Sequence, residues 1–258
     1  MLKNTKMIVR FFFLITLTLF ISCATKETPL TAQQIIDKTI LRSGADKVKN
    51  AQINFQFRDK RYSAIRKNGD FRLERTFNKT TSEIKDVISN NGFNRFVDCL
   101  PFAVADPMAA KYLNSVNSVN SVHYFSVLPF GLNDKAVQKR LLPSSTINGI
   151  AYYKVEISFS ENGGGKDFED VFIYWIGKED FLIDYLAYSF HTNGGGKRFR
   201  VLKEQCNKNG IRFVDYHNYK PLNIDVPLID LDVSFEKKQL KKVSEIILKN
   251  IEVTLLKD

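Results

Sequence analysis

The chain is poor in the residues from which catalytic and metal centres are usually built. Its 258 residues include only three cysteines and three histidines. No Cys-x-x-Cys pair occurs and no histidine stands near a cysteine in sequence, which excludes the usual zinc sites. The Gly-x-Ser-x-Gly elbow and the His-Glu-x-x-His helix are also missing, and with them the local signatures of serine hydrolases and zinc proteases. Two loops, Asn162-Gly-Gly-Gly-Lys166 and Asn193-Gly-Gly-Gly-Lys197, imitate a phosphate cradle. A Walker loop needs glycine where Ser160 and His191 stand, and Ser or Thr where Asp167 and Arg198 stand. Both loops read instead as hairpin connections at one rim of a sheet. The second sets Lys197, Arg198 and Arg200 where an anionic head group can meet them. A regular helix-after-strand rhythm is absent, which excludes parallel α/β folds and the (β/α)₈ barrel. No long period recurs, so the Asn-Ser-Val triplets of Asn114–Val122 are a local duplication and not a solenoid repeat.

Long hydrophobic runs are scarce as well, and the one present is at the N-terminus. Lys3, Lys6 and Arg10 precede Phe11–Ile21, in which Thr16 and Thr18 are the polar residues. The run is shorter than a membrane span needs and has the layout of a secretory signal. Leu19-Phe20-Ile21-Ser22-Cys23 resembles a bacterial lipobox, with Phe20 where Leu is usual. That resemblance implies a signal peptide over 1–22, acylation (palmitate) of Cys23 and a tether over 23–30. Ala24 lacks the acidic character linked to inner-membrane retention, so the expected address is the outer membrane. The domain would face the periplasm, with surface exposure open.

Removing the leader lowers the formal charge of +10 by three. An exported domain meets no chromosomal nucleic acid, so the surplus charge suits acidic lipid or polysaccharide, or is simply a solvated lysine surface. With Cys23 acylated, Cys99 and Cys206 remain. They either form a disulfide, which the compartment permits, or are two small buried thiols.

A hydrophobic content of 44% suffices for a core in one domain over 31–258. Thr31-Ala-Gln-Gln34 is a capping box; Ala32, Ile35, Ile36, Thr39 and Ile40 recur at helical spacing, and Gly44 can end the helix. The period then changes to two. Ile53, Phe55 and Phe57 alternate with polar residues, as do Tyr62, Ala64 and Arg66, then Phe71, Leu73, Arg75 and Phe77. Asn68-Gly69 and Asn90-Asn91-Gly92 supply hairpin turns. Asp106-Pro107 starts a central helical segment that runs to Val127. Its Asn, Ser and Val residues are mediocre helix formers, so burial must hold it, as in a lid or plug. Alternation resumes after Pro143, with Tyr153, Val155, Ile157 and Phe159 on one face and Lys154, Glu156 and Ser158 on a solvated one. Val171–Ile176 is apolar on both faces and must be covered twice or line a cavity. The expected class is α+β, mainly β: an antiparallel sheet of about ten or eleven strands, an N-terminal helix and a central helical insertion.

That order of elements behind a lipobox resembles the Lol-type lipoprotein-carrier fold. The stretches Asp170–Trp175, Ile183–Tyr188, Lys197–Arg200 and Phe213–Tyr219 are similar to uncharacterised Bacteroidetes-type envelope lipoproteins. The resemblance implies a curved open half-barrel whose concave face can receive acyl chains. The expected function is a membrane-anchored lipoprotein that binds a hydrophobic or amphipathic ligand without chemistry or cofactor, acting as a monomer. Its wall would comprise Phe55, Phe57, Phe71, Tyr153, Val155, Phe172, Tyr174 and Tyr185, and the segment carrying Tyr112 and Val116 would cover it. The alternatives are a structural envelope lipoprotein with a filled core and, behind it, a hydrolase of scattered residues. Asp215 and His217 share a strand face and offer an oriented base or two metal ligands, or a plain hydrogen-bonded pair of structural residues. Asp184 is read as a structurally paired carboxylate.

Overall fold

The structure, a computed structural model, describes residues 28–103, 109–162, 169–191 and 194–257; of 109–115, 117 and 118 it describes the backbone alone. Cys23, Lys166 and Asn193 lie outside the described residues. Residues Thr31–Asp258 form one compact unit.

Helix α1 (Ala32–Ser43) is fixed at both ends by local chemistry. The Thr31 hydroxyl accepts from the Gln34 backbone N–H, and Gln34 Oε1 accepts from the Thr31 N–H at 2.9 Å. Gly44, at a φ of 68°, ends the helix. Ile35 and Ile36 are wholly buried, each worth about 1.5–3 kcal/mol of apolar transfer. A 3₁₀ segment (Ala45–Asn50) then leads into the sheets.

The first sheet is a meander of β1 (Ala51–Phe57), β2 (Lys60–Lys67), β3 (Asp70–Lys79), β4 (Ser82–Ser89), β5 (Gly92–Val97) and β6 (Leu100–Phe102). The turns are local too: Asn68 and Gly69 both have positive φ, the two-residue hairpin geometry that Asn-Gly favours. Helix α2 (Ala109–Ser126) leaves this sheet. The second sheet follows as β7 (Val137–Ile147), β8 (Ile150–Phe159), β9 (Phe172–Gly177), β10 (Ile183–Phe190), β11 (Gly196–Lys208), β12 (Ile211–Pro221) and β13 (Leu240–Ile246). One residue, Ile247, carries the chain back to β14 (Leu248–Leu255), which pairs with β1.

The result is two antiparallel seven-stranded sheets, ordered 14-1-2-3-4-5-6 and 13-12-11-10-9-8-7, with β14 and β6 at the edges of the first and β13 and β7 at those of the second. The class and open architecture are as expected; the fourteen strands among the described residues exceed the expected ten or eleven. One addition, β7, contains Pro143, which sits at a bulge between Leu142 and Ser145 on an edge strand, where a missing N–H is tolerated.

The strand that is apolar on both faces, β9, is covered twice. On one side Ile173 and Trp175 join Tyr185, Ala187 and Phe199 under a short 3₁₀ turn (Leu228–Asp230) and helix α3 (Leu231–Glu236). Phe235 of α3 lies 5.5 Å from the Phe199 ring and 6.0 Å from Tyr185. Lys154, expected in solvent, is therefore buried: its Nζ donates to Asp232 Oδ2 at 2.9 Å and to the Ile229 carbonyl at 2.7 Å. The expectation failed because α3 covers a face that alternation alone assigns to water. Cys99 and Cys206 are free and exposed, neither bridged nor buried. Cys99 occupies the β5–β6 turn at a φ of 66°.

Candidate functional site

The two sheets meet directly at one end, where Ile211 and Phe213 of β12 pack with Ile53 and Phe55 of β1; elsewhere the C-terminal half of α2 packs against the inner faces of both. On the first sheet Val119 is wholly buried against Ala64 and Leu73. His123 stands edge-on to Phe55 and Tyr62, 5.7 and 5.5 Å away, while those two rings stack at 5.2 Å. His123 Nε2 donates to the Glu74 carbonyl at 2.9 Å. Burial pulls its imidazole down to about 4, so it is neutral at ordinary pH.

With the next two residues, on another side of the same turn, the helix meets the second sheet. Tyr124 and Phe125 lie 6.3 and 6.0 Å from Phe172, and the Tyr124 and Tyr174 hydroxyls are 3.2 Å apart. Phe159 and Tyr188 approach Phe172 at 5.8 and 5.7 Å. This aromatic wall is the product of register. Val155 opposes Tyr174 and Ile157 opposes Phe172 across β8–β9, and Leu186 and Tyr188 continue the face across β9–β10. The expected helical insertion thus packs against both sheets; of its Asn-Ser-Val repeat Val119 is buried, whereas Asn120 and Ser121 are exposed.

The structure gathers some of the anticipated wall residues and separates others. Phe172, Tyr174, Tyr153 and Val155 share the inner face of the second sheet, and Phe55 and Phe57 that of the first. Phe71 lies at a strand end and is 36% exposed. Val116 is half-buried on α2, and the Tyr112 side chain lies outside the described residues. Tyr185 faces the other way. Strict alternation from the Ile183–Ile176 pair would set Tyr185 opposite Tyr174, but a bulge between Ile183 and Tyr185 puts Leu186 there. The bulge turns Tyr185 outward beneath α3.

Both inner walls also carry buried cations; on the first sheet Arg66 and Arg75 are visible in the sequence as arginines at apolar-face positions. Asp86, wholly buried, is gripped by Arg75 Nη2 at 2.6 Å and by Arg95 Nε and Nη2 at 2.6 and 3.0 Å. Arg66 is buried with its guanidinium 5.3 Å from the Phe130 ring, and burial pulls it down to about 10. Arg200 is buried over Phe125, 4.0 Å from the ring centroid, and its Nη2 donates to the Tyr188 hydroxyl at 3.2 Å. Of its two neighbours in the anticipated cationic group, Lys197 is spent on the Ile224 and Val226 carbonyls, and Arg198 covers Phe190.

The polar groups offered for chemistry each lie beside a backbone or charged neighbour. Asp215 Oδ1 accepts from the Leu248 N–H at 2.9 Å, fastening the crossover into β14. His217 Nδ1 is 3.2 Å from Glu245, whose carboxyl is held at about 2 by hydrogen bonds from Lys242 and Lys203. Asp184 accepts from Tyr152 and Arg212; burial raises its carboxyl against the pull of Arg212. Among the described residues no cluster of three or more His, Cys, Asp or Glu is placed to hold a metal. No described helix is long and apolar enough to cross a membrane. A cavity of about 490 Å³ lies along β14, β1, β2 and β3; Asn54, Gln56, Ser63, Thr76 and Asn250 join Phe55 in its lining. In β1 its amides alternate with the buried Ile53 and Phe55, so it opens on the polar face and not on the aromatic wall.

Several crystal structures are similar in outline. A LolA superfamily protein from Nitrosomonas europaea superposes with a TM-score of 0.45 at 12% identity, over 89% of this chain and 95% of that one. A DUF1329 family protein from Desulfovibrio piger gives 0.42 at 11%, over 87% and 93%. The lipoprotein LppX from Mycobacterium tuberculosis gives 0.28 at 9%, over 62% and 89%. No curated protein matches the sequence significantly. Residues 9–247 match the sequence profile of DUF6503, a family of unknown function.

Proposed function

The chain belongs to the DUF6503 family, and for this member we propose a membrane-anchored envelope lipoprotein that binds a hydrophobic or amphipathic ligand between its sheets. Cys23 carries the acyl anchor, the outer membrane is the address, and the domain faces the periplasm. Phe55, Phe57, Tyr153, Val155, Phe172 and Tyr174 form the wall, with Phe71 at its rim and the segment carrying Tyr112 and Val116 as cover. The ligand undergoes no chemistry; His123, Asp184 and Asp215 are committed to structural hydrogen bonds.

One observation carries this reading. The aromatic wall of the second sheet is met by Tyr124 and Phe125 of helix α2. Beyond the direct contact of β12 with β1, displacement of this helix, itself made of weak helix formers, would open an apolar slot that an acyl chain can enter. Each buried methylene contributes about 0.8 kcal/mol, enough for a chain of ordinary length to compete with two aromatic side chains.

Native mass spectrometry of protein purified from its own membranes tests the reading, with a co-purifying lipid as the expected result. Replacing Cys23 with Ala should abolish acyl labelling. Repeated recovery without lipid would favour a second reading, a structural lipoprotein with a filled core. The polar character of the 490 Å³ cavity and the occupied inner wall are the observations on its side.

A further inference from the structure

We infer that the ligand's head group is anionic, a carboxylate or a phosphate, and that it is taken by Arg200 on the inner face of the second sheet. The inference rests on the carrier reading above and adds the chemistry of the ligand to it.

Arg200 is only 7% exposed. A guanidinium so deep in a sheet is normally matched by a carboxylate, because an unpaired buried charge is strongly unfavourable. Asp86 does this for Arg75 on the first sheet, and Asp232 for Lys154 beneath α3. Among the described residues Arg200 makes no ion pair and one hydrogen bond, to the Tyr188 hydroxyl, and it lies over the rings of Phe125 and Tyr188. Its Nε has no partner at all. Directly across the β11–β12 ladder is Asn218, also buried at 8% exposed. Asn218 Nδ2 donates to Ser244 Oγ, and its Oδ1 is likewise without a partner.

Two orphaned polar atoms, a cationic donor and a neutral acceptor, therefore stand on adjacent strands at the place where Phe125 caps the wall. Ring contacts compensate a buried cation only in part. An anionic oxygen at Nε would complete the site with a charge-assisted hydrogen bond, strengthened by the low local dielectric. The Asn218 carbonyl would accept from a hydroxyl or amide N–H on the same head group. When Phe125 gives way to ligand, the alkyl chain takes its contacts with Phe172 and the head group takes the guanidinium face.

The experiment uses full-length protein held in amphipol and radiolabelled probes below their micellar range: dodecyl phosphate, dodecanol and inorganic phosphate. Dodecyl phosphate should bind at least tenfold more tightly than dodecanol. Arg200→Met should reduce that ratio to twofold or less while keeping the affinity for dodecanol. Arg200→Lys should retain part of the preference. The Met variant should also melt no lower than wild type, since it loses an unpaired charge. Equal binding of the phosphate and the alcohol by wild type would overturn the anionic head group and leave the carrier reading standing. Failure of both alkyl probes would overturn the carrier reading and this inference with it. Binding of inorganic phosphate as tight as that of dodecyl phosphate would replace the lipid head group by a free-anion site.

Discussion

Gly44 ends helix α1 directly against the carbonyl of Gly210, in the β11–β12 turn, so closely that a Cβ on Gly44 would overlap the oxygen. The contact joins the first helix to the second sheet, and Lys47 Nζ adds a bond to the same carbonyl at 3.3 Å.

Gly44→Ala should therefore lose about 3 kcal/mol, from left-handed backbone strain together with the steric conflict. Gly92→Ala is the comparison: its φ is 92°, yet nothing lies near its Cβ direction, and the loss should be about 1 kcal/mol. Urea midpoints at unchanged slope measure both. Equal losses would mean that the Gly210 turn yields at little cost.

Asp86→Ala should destabilise the protein by about 3–5 kcal/mol, because it leaves Arg75 and Arg95 facing one another without their shared carboxylate. Adding Arg75→Met should recover part of that loss. A second substitution that merely adds its own damage would show that the triad is not energetically coupled.

His123 makes stability depend on acidity. The folded imidazole is depressed from 6.5 to about 4, so between these values the unfolded chain binds the extra proton. Stability is complete above about pH 6.5, falls as the pH drops towards 4 and levels off below. The total is about 3 kcal/mol. His123→Gln keeps a donor for the Glu74 carbonyl and should flatten this part of the profile. Urea unfolding at pH 4.5 and 7.5 compares the two; parallel profiles would remove His123 as the cause.

Trp175 is the single tryptophan of the chain, and its Nε1 donates to Asp232 Oδ2 at 3.0 Å, beside Lys154. Asp232→Ala should shift the emission of Trp175 and cost about 3–5 kcal/mol by leaving the lysine unpaired. Unchanged emission would place Asp232 outside the tryptophan's surroundings.

What could be read from the residues was whatever short-range chemistry decides. Thr31, Gln34 and Gly44 bound a helix, Asn68-Gly69 makes a hairpin, and Tyr153 to Phe159 alternates, each through neighbours a few positions away. Departures from regularity were not legible. Pro143 looked like a strand breaker and is a bulge residue on an edge. The bulge before Tyr185 reverses a face, which no pattern of apolar residues reveals. Lys154 looked solvated because α3, six residues long and without a side-chain cap, leaves almost no periodic trace. Arg75 did announce itself, as a charge alternating with Leu73 and Phe77, whereas Arg200 stood in a run of cations and gave no sign of its burial. Which of them has a carboxylate depends on strands brought together only by the fold.

The pairing of β1 with β14 has a consequence for how the molecule is made. Ala51 lies opposite Leu255 and Phe57 opposite Leu248, so an early strand is flanked on both sides only when a late one arrives. Contacts between such distant segments slow folding, and until they form β1 has a bare edge. The first sheet is therefore incomplete along β1 until Leu248–Leu255 is in place, and a chain interrupted before that point has an unpaired strand to offer to other molecules.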